Sequence, residues 1–281
     1  MASINHDILM PYMETYKRYL NNQERGESAR LLSNVQEDYK KDIAEKAAIL
    51  LDSKNWNESE IGKGSIGDRA IKAVQRNMNL IGRFQVSTFS AIVKEEYAVS
   101  EQLLFNLYHN RKDKECFEQI CKLFGRKYDL VAYLYYILDP SRYLPLRSSI
   151  FDGIFKKLGI DLQTSGRCSW DNYQDYLSTV AAVRDALRDY YQNDDIDLLD
   201  AHSFLWTLNL DVLDMRQKES GKEDVPIKKK VIEIGASVLH KDYGEGTITK
   251  ITEDNVYVGF EKKQRIFPYP KAFEKEYLKL I

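Results

Sequence analysis

The chain has 281 residues, 43% of them hydrophobic and 30% charged, and a formal net charge of −2. These proportions are close to those of ordinary globular proteins and argue against long disordered segments, while the length favours two domains. No run approaches the roughly 18 apolar residues that span a bilayer, and the N-terminal stretch lacks the basic and apolar regions of a secretory signal. We therefore predict a cytoplasmic protein with no membrane partner.

The three cysteines, Cys116, Cys121 and Cys168, are odd in number and show no paired CxxC spacing. This pattern predicts neither a disulfide framework nor a zinc knuckle, which agrees with a reducing compartment. The sequence also lacks the GxxxxGK[ST] phosphate loop, the HExxH and GxSxG motifs and the protein-kinase motifs. It therefore assigns no metal, no cofactor and no catalytic residue.

Apolar residues recur at three- and four-residue steps over most of the chain, which predicts a mainly helical domain over residues 1–215. The first helix is expected from Asp7 to Leu20 and the second from about Ser28 to Asp52. A glycine-rich loop then leads to a third helix that Ser65 would cap.

After the third helix, the stretch that contains Phe84 and Phe89 is predicted to be a connection. Further helices are expected over residues 87–139, including a long apolar one that Gly125 breaks and Pro140 ends. The most apolar section of this helix carries three tyrosines, at positions 133, 135 and 136. They suit either a base-stacking platform or a packed core, and the helical periodicity favours the core.

Two prolines within six residues make residues 139–152 an extended connector, which carries Arg142 and Arg147. The two guanidinium groups could clamp a phosphate because their donors form a fork. Alternatively, they could hold acidic neighbours such as Asp139 and Asp152, which is the favoured interpretation.

An acidic cluster follows, consisting of Asp194, Asp195, Asp197 and Asp200. It could bind a hard cation, but it lacks the glycine and the final glutamate of a calcium loop, so a solvated helix-capping turn is favoured. His202 and His109 are candidate bases without a recognisable partner. We expect His202 to be a hydrogen-bonded residue at the edge of the core.

Three strings in this domain carry a resemblance: NLIGRF, RYLPLRSSIFDGIFKKLGI and CSWDNYQDYL. They resemble a helical region found beside HNH nucleases and in modification-dependent restriction systems. The resemblance covers about Trp56 to Trp206, and it implies a genomic context rather than a mechanism.

A polar segment at residues 216–232 contains Gly221 and Pro226 and is predicted to be a linker. The remaining residues, 233–281, alternate apolar and polar positions between glycine-rich turns, which predicts short strands. Strands are expected at residues 237–240, 247–251, 256–260 and 265–268. The predicted fold is therefore α+β, a helical domain followed by a small β-barrel.

The pattern VLHxxYGEGTI, followed by VxVGF, resembles the SH3-like or Tudor-like module at the C-termini of some bacterial DNA-repair helicases. This resemblance implies a barrel that binds protein or nucleic acid. We expect a core made of Val238, Ile248, Val256, Val258 and Phe260.

An exposed aromatic surface flanked by cations is expected on this module, suited to stacking and phosphate attraction. Its aromatic members are Tyr243, Tyr257, Phe267 and Tyr269, and its cations are Lys241, Lys262, Lys263 and Arg265. Residues 216–281 carry 14 Lys and Arg against 11 Asp and Glu, a weak basic excess that does not by itself identify a nucleic-acid partner.

These observations lead to two hypotheses. The first is a non-enzymatic adaptor of a bacterial restriction or anti-phage defence system, which binds DNA, a partner protein or both. The alternative is a metal-dependent nuclease with its site near Arg142, Arg147 or the acidic cluster at Asp194. The sequence leaves the oligomeric state open.

Overall fold

The chain forms two compact units, residues 1–216 and 217–281. The computed structural model describes residues 4–21, 38–77, 80–209, 234–252, 255–261, 263–269, 271–274 and 277–280. The linker predicted at residues 216–232 lies outside these ranges.

The first unit, called the helical unit below, holds ten α-helices in its described residues. They are α1 (His6–Asn21), α2 (Tyr39–Leu51), α3 (Ser65–Gln75), α4 (Arg83–Glu95), α5 (Tyr97–Tyr108), α6 (Asp113–Leu123), α7 (Tyr128–Leu138), α8 (Ser148–Lys157), α9 (Trp170–Tyr191) and α10 (Leu198–Thr207). None of the helices in the described ranges has the length and apolar character needed to cross a membrane.

The predicted helices are found, with corrections at their ends. The expected first helix corresponds to α1, whereas the expected start of the second, at Ser28, falls outside the described residues. The connection predicted around Phe84 is wrong, because these residues begin α4. Phe89 and Val93 lie one turn apart on that helix and are fully buried, so core packing stabilises a helix there.

Gly125 separates α6 from α7 with φ of +67°, as predicted for a helix break. Tyr133, Tyr135 and Tyr136 of α7 are completely buried. Tyr133 donates its hydroxyl hydrogen to the carbonyl of Ala73 and Tyr136 donates to that of Lys40. The core interpretation of this helix is confirmed, and its hydroxyls are satisfied as buried polar groups require.

The loop before α3 wraps its backbone around a buried carboxylate. Glu101 accepts hydrogen bonds from the N–H groups of Gly62, Gly64 and Gly67, at 2.6, 3.2 and 2.7 Å. Gly64, at φ of +89°, is the N-cap of α3. The predicted capping role of Ser65 is wrong, because Ser65 is the first helical residue and donates to a carboxylate of the preceding turn.

The second unit, called the sheet unit, contains five antiparallel strands and one short helix. They are β1 (Ser237–His240), β2 (Gly244–Ile251), β3 (Asn255–Phe260), β4 (Gln264–Pro268), α11 (Lys271–Glu274) and β5 (Leu278–Leu280). The strand order is β4-β3-β2-β1-β5, and β2 is interrupted by a register shift between Ile248 and Lys250. The α+β class is as predicted, and the sheet that the described residues form is open.

Four of the five predicted core residues, Val238, Ile248, Val256 and Val258, are fully buried, and the fifth, Phe260, is partly buried. The predicted strands all occur, but β5 was not predicted. It pairs with β1 through Val238, Leu239 and His240 and supplies Leu278 to the core. The core residues therefore lie on one face of the sheet, which we call the inner face.

Candidate binding site

Two tight turns meet at one end of the sheet unit and enclose a depression of about 300 Å³. The first joins β1 to β2 and the second joins β3 to β4, and Phe260 lies opposite Gly246 in the β2–β3 pair. We call this the turn depression. Its lining consists of Asp242, Tyr243, Phe260, Glu261, Lys263 and Arg265.

Glycines shape both sides of this end of the sheet. Gly244 starts β2 with φ of +73°, a conformation that glycine adopts readily. Gly246 serves a different purpose, because a Cβ atom there would lie 2.7 Å from the ring of Phe260 and from Val258. The missing side chain lets the Phe260 ring lie directly against the strand.

Tyr243 is the most exposed ring of an aromatic cluster, with 41% of its surface accessible. The ring of His240 stacks on it at 4.5 Å between centroids, and Phe260 lies at 5.6 Å. The Arg265 guanidinium carbon is 4.3 Å from the Tyr243 ring centre, a cation–π contact. Phe267 completes the cluster at 5.2 Å from His240.

The orientation of His240 is fixed from within its turn. Its Nδ1 atom accepts a hydrogen bond of 3.0 Å from the backbone N–H of Asp242. Because Nδ1 accepts this bond, the hydrogen of the neutral ring is on Nε2. The His240 ring is therefore held in its stacked position on Tyr243 before any partner binds.

Charges of both signs surround Tyr243 without forming ion pairs with one another. Asp242 and Glu261 line the depression together with Lys263 and Arg265. Within the described part of the chain these four side chains form no ion pair. The depression therefore offers two acceptor and two donor groups to an incoming molecule.

The expected aromatic surface is not one surface in the structure. Tyr257 alternates with the buried Val256 and Val258, so it lies on the outer face of the sheet, where Lys250 approaches its ring at 5.4 Å. Tyr269 packs against the core beside Phe273.

The other predicted members fall in and around the turn depression. Tyr243, Lys263 and Arg265 line it, whereas Phe267 packs against the core as part of the aromatic cluster. Lys241 is exposed in the first turn, and Lys262 lies outside the described residues. The structure therefore brings three of the predicted residues together at a single site.

Sequence reasoning missed three members of this site: His240, Asp242 and Glu261. Neither acid was assigned to this site, because stacking and phosphate attraction point to aromatic and basic side chains. A signal was present, since each acid is adjacent to a predicted turn and hairpin turns of a meander alternate between the two ends of a sheet. That alternation places the β1–β2 turn and the β3–β4 turn at the same end of the sheet.

Arg142 and Arg147 do not converge on a common point. Arg142 approaches Asp113 at 3.5 Å, and Arg147 forms an ion pair with Asp129 at 3.2 Å. The favoured interpretation, that these arginines hold acidic side chains, is confirmed. The acids, however, lie on α6 and α7 and not in the connector at residues 139–152. Asp152 is instead held by the backbone and hydroxyl of Thr164.

The acidic cluster forms a helix cap. Asp197 and Asp200 make a reciprocal capping box at the start of α10, each accepting from the other's backbone N–H at 2.8 and 2.9 Å. Among the described residues there is no group of three or more His, Cys, Asp or Glu side chains placed to hold a metal ion. His109 donates from Nδ1 to the carbonyl of Ser53 at 2.9 Å and stacks on Phe105.

His202 is fully enclosed in the helical unit. Its Nδ1 lies 3.1 Å from the amine of Lys40, itself 1% exposed, and its Nε2 lies 3.0 Å from the carbonyl of Pro145. Burial, together with the neighbouring Lys40 charge, holds the pKa of His202 well below its ordinary value. The adjacent cavity, which Arg147 and Trp206 also line, is about 30 Å³, room for little more than water.

Comparisons of this chain with protein-family models, with curated proteins and with solved structures give no match.

Proposed function

We propose that this chain is a non-enzymatic adaptor whose sheet unit binds a polypeptide segment of a partner protein at the turn depression. The main support for this proposal is the set of four charged side chains around Tyr243, two acidic and two basic, which form no ion pair within the described residues. A peptide presents both signs of charge and backbone hydrogen-bonding groups, so it can satisfy all four. Tyrosine and arginine are also the residue types that dominate protein interfaces.

A nucleic-acid partner is the less favoured occupant of the same site. Phosphate attraction requires a surplus of positive charge, and Asp242 and Glu261 offset Lys263 and Arg265 in the lining. The stacking surface that a base would use on Tyr243 is already contacted by His240 and Arg265. These contacts favour protein over DNA among the partners that the sequence allows.

The sheet topology supports the finer proposal of an SH3-like fold. β1 pairs with both β2 and β5, the strands β2, β3 and β4 form a meander, and α11 lies between β4 and β5. The register shift in β2 is the type of irregularity at which a sheet bends strongly. A bent β2 would let the two ends of the sheet curl toward each other, as a partly open barrel requires.

The cellular setting rests on the resemblance of the helical unit to regions beside HNH nucleases and in restriction systems. We propose accordingly that the partner is a protein of a DNA-directed restriction or anti-phage defence system. The paired states of Arg142 and Arg147 and the capping role of Asp197 provide no support for the nuclease alternative.

The test uses the full chain, expressed with an affinity tag in its native host, and charge reversals on each side of the depression. Lys263→Glu and Asp242→Lys should each remove a specific captured protein. Lys250→Glu should retain it, because Lys250 lies on the outer face beside Tyr257. Capture that is identical for all four chains would count against the site.

A parallel titration with DNA distinguishes a nucleic-acid partner from a protein partner. Binding of a 30-base single strand and of the corresponding duplex is measured at about 50 and 200 mM salt, where phosphate contacts lose affinity steeply. If DNA is the partner, the combined reversal of Lys262, Lys263 and Arg265 weakens binding and flattens its salt dependence, whereas Asp242→Lys strengthens it. If a protein is the partner instead, we expect weak DNA binding that the combined reversal leaves unchanged at both salt concentrations.

A further inference from the structure

Two of the three cysteines meet in the core of the helical unit, although they are separated by 47 positions. The sulfur atoms of Cys121 and Cys168 are 3.1 Å apart. Cys121 lies on α6, and Cys168 lies in the segment that leads into α9. Both are free thiols and both are buried, with Cys168 the more accessible at 5% exposure.

The segment that carries Cys168 is held in place from several directions. Arg126 donates to the carbonyl oxygen of Cys168 at 2.9 Å. Ser169 caps α9 by accepting from the backbone of Asn172, and Trp170 packs edge-on against Phe117 of α6. The short distance between the two sulfur atoms is therefore set by packing on both sides of the pair.

We propose that Cys121 and Cys168 form an oxidative modification site, at which an oxidant of the peroxide class converts the two thiols into an intramolecular disulfide. Cys168 gives up its proton and the thiolate attacks one peroxide oxygen; the O–O bond breaks, and the hydroxide that leaves takes up that proton, so a sulfenic acid and water result. Cys121 then gives up its proton and attacks that sulfur; the S–O bond breaks, and the hydroxide that leaves takes up this proton as a second water. Two thiols lose two electrons and two protons, and hydrogen peroxide becomes two water molecules.

The environment of the pair determines which oxidants can act. The hydrogen bond with Cys121 and burial together raise the pKa of Cys168 well above its ordinary value. Little thiolate is then present at neutral pH, and the rate rises with pH because the thiolate is the nucleophile. Because Cys168 is only 5% exposed, a small uncharged peroxide suits this site better than the bulky, anionic glutathione disulfide.

The bond would join α6 to the start of α9 and close a loop of the chain between them. Closing such a loop restricts the unfolded chain more than the folded one, because the sulfur atoms are already adjacent in the fold. We therefore expect oxidation to raise the Tm of the helical unit by about 5–10 °C. This inference is independent of the proposed partner site.

The experiment treats the full chain with hydrogen peroxide, unfolds it in the presence of an alkylating agent and measures its intact mass. Wild type and Cys116→Ser should each lose two alkylatable thiols, and peptide mapping should find Cys121 linked to Cys168. Cys116 is the matched control because it is also buried but bonds only to the carbonyl of Leu103. Cys121→Ser and Cys168→Ser should form no internal link.

If a serine variant fails to fold, measurements on the wild-type chain are sufficient to test the proposal. Its oxidised form should melt at a higher temperature than the same sample reduced with dithiothreitol, and oxidation should be faster at pH 9 than at pH 7. Three alkylatable thiols after peroxide treatment, a link through Cys116, or a lower Tm after oxidation would each overturn the proposal.

Discussion

Glu101 illustrates how a single side chain organises a loop of this protein. Residues 62–67 read GKGSIG and so have the GxGxxG spacing of phosphate-binding loops, although no strand precedes them. Their backbone N–H groups are oriented inward as in such loops, but the buried carboxylate of Glu101 accepts their hydrogen bonds. The loop is therefore an internal structural device, and it is closed to an external anion.

Replacing Glu101 by glutamine should destabilise the helical unit. The amide NH2 group would face a backbone N–H, which leaves a buried donor without an acceptor. We expect the free energy of unfolding to fall by about 1–3 kcal/mol. Urea denaturation followed by tryptophan fluorescence measures this, because all three tryptophans belong to the helical unit. The exposed Glu95, changed in the same way, is the control, and an equal loss there would contradict the role of Glu101.

His202 should make stability depend on pH. The folded chain keeps this ring neutral, because burial and Lys40 lower its pKa, whereas the unfolded chain binds a proton below about pH 6.5. The unfolded state therefore binds more protons below that pH, and the free energy of unfolding decreases as the pH falls. Above about pH 6.5 this contribution is present in full.

The pH effect can be separated from other titrations by comparison with His202→Gln. Wild type should lose up to about 1.4 kcal/mol per pH unit more than the variant between roughly pH 6.5 and pH 5. The groups that face the ring are the Lys40 amine, the Pro145 carbonyl and, across the small cavity, Arg147. Parallel pH profiles for the two chains would show that His202 does not titrate in this way.

At the scale of elements, β2 and β3 depend on the absence of a side chain at Gly246. A Cβ atom there would lie 2.7 Å from both Phe260 and Val258. Gly246→Val should therefore unfold the sheet unit at a lower temperature, with a loss of about 1–3 kcal/mol. Far-UV circular dichroism and calorimetry follow this unit, which contains no tryptophan.

A double variant tests whether the Phe260 ring causes that loss. Phe260→Ala removes the ring that the new side chain would strike, so Gly246→Val should cost less in the Phe260→Ala background than in wild type. A double-mutant cycle measures the difference as a coupling free energy. Additive losses would place the strain elsewhere in the β2–β3 pair.

The element boundaries show which parts of the fold a sequence can predict. Helical periodicity and the break at Gly125 are local features, and they gave α1, α6 and α7 correctly. The strand β5 was missed because three residues in a charged stretch carry too little alternation to be recognised. Its pairing with β1 depends on a contact between distant parts of the chain.

Only part of the candidate site could be predicted, because its composition also depends on contacts between distant parts of the chain. Tyr243, Lys263 and Arg265 were selected by residue type, and they do line one depression. Tyr257 was assigned to the same surface although its alternation with Val256 and Val258 already placed it on the other face. The acids that pair with Arg142 and Arg147 come from other helices, so only the tertiary structure could identify them.

At the scale of the whole molecule, the two units have separate cores. The large core runs through the helices, and the sheet unit buries a short set of apolar residues, namely Val238, Ile248, Val256, Val258, Ala272 and Leu278. No described residue belongs to both cores. A small unit buries a lower fraction of its surface and is accordingly less stable.

We therefore expect two thermal transitions in calorimetry of the full chain. The first, with an enthalpy of roughly 35 kcal/mol for about 50 folded residues, should be the sheet unit, and the larger one should be the helical unit. Only the second should change tryptophan fluorescence, since the tryptophans lie at positions 56, 170 and 206. Gly246→Val should move the first transition alone and Glu101→Gln the second alone. A single transition that both variants shift equally would show that the two units unfold as one.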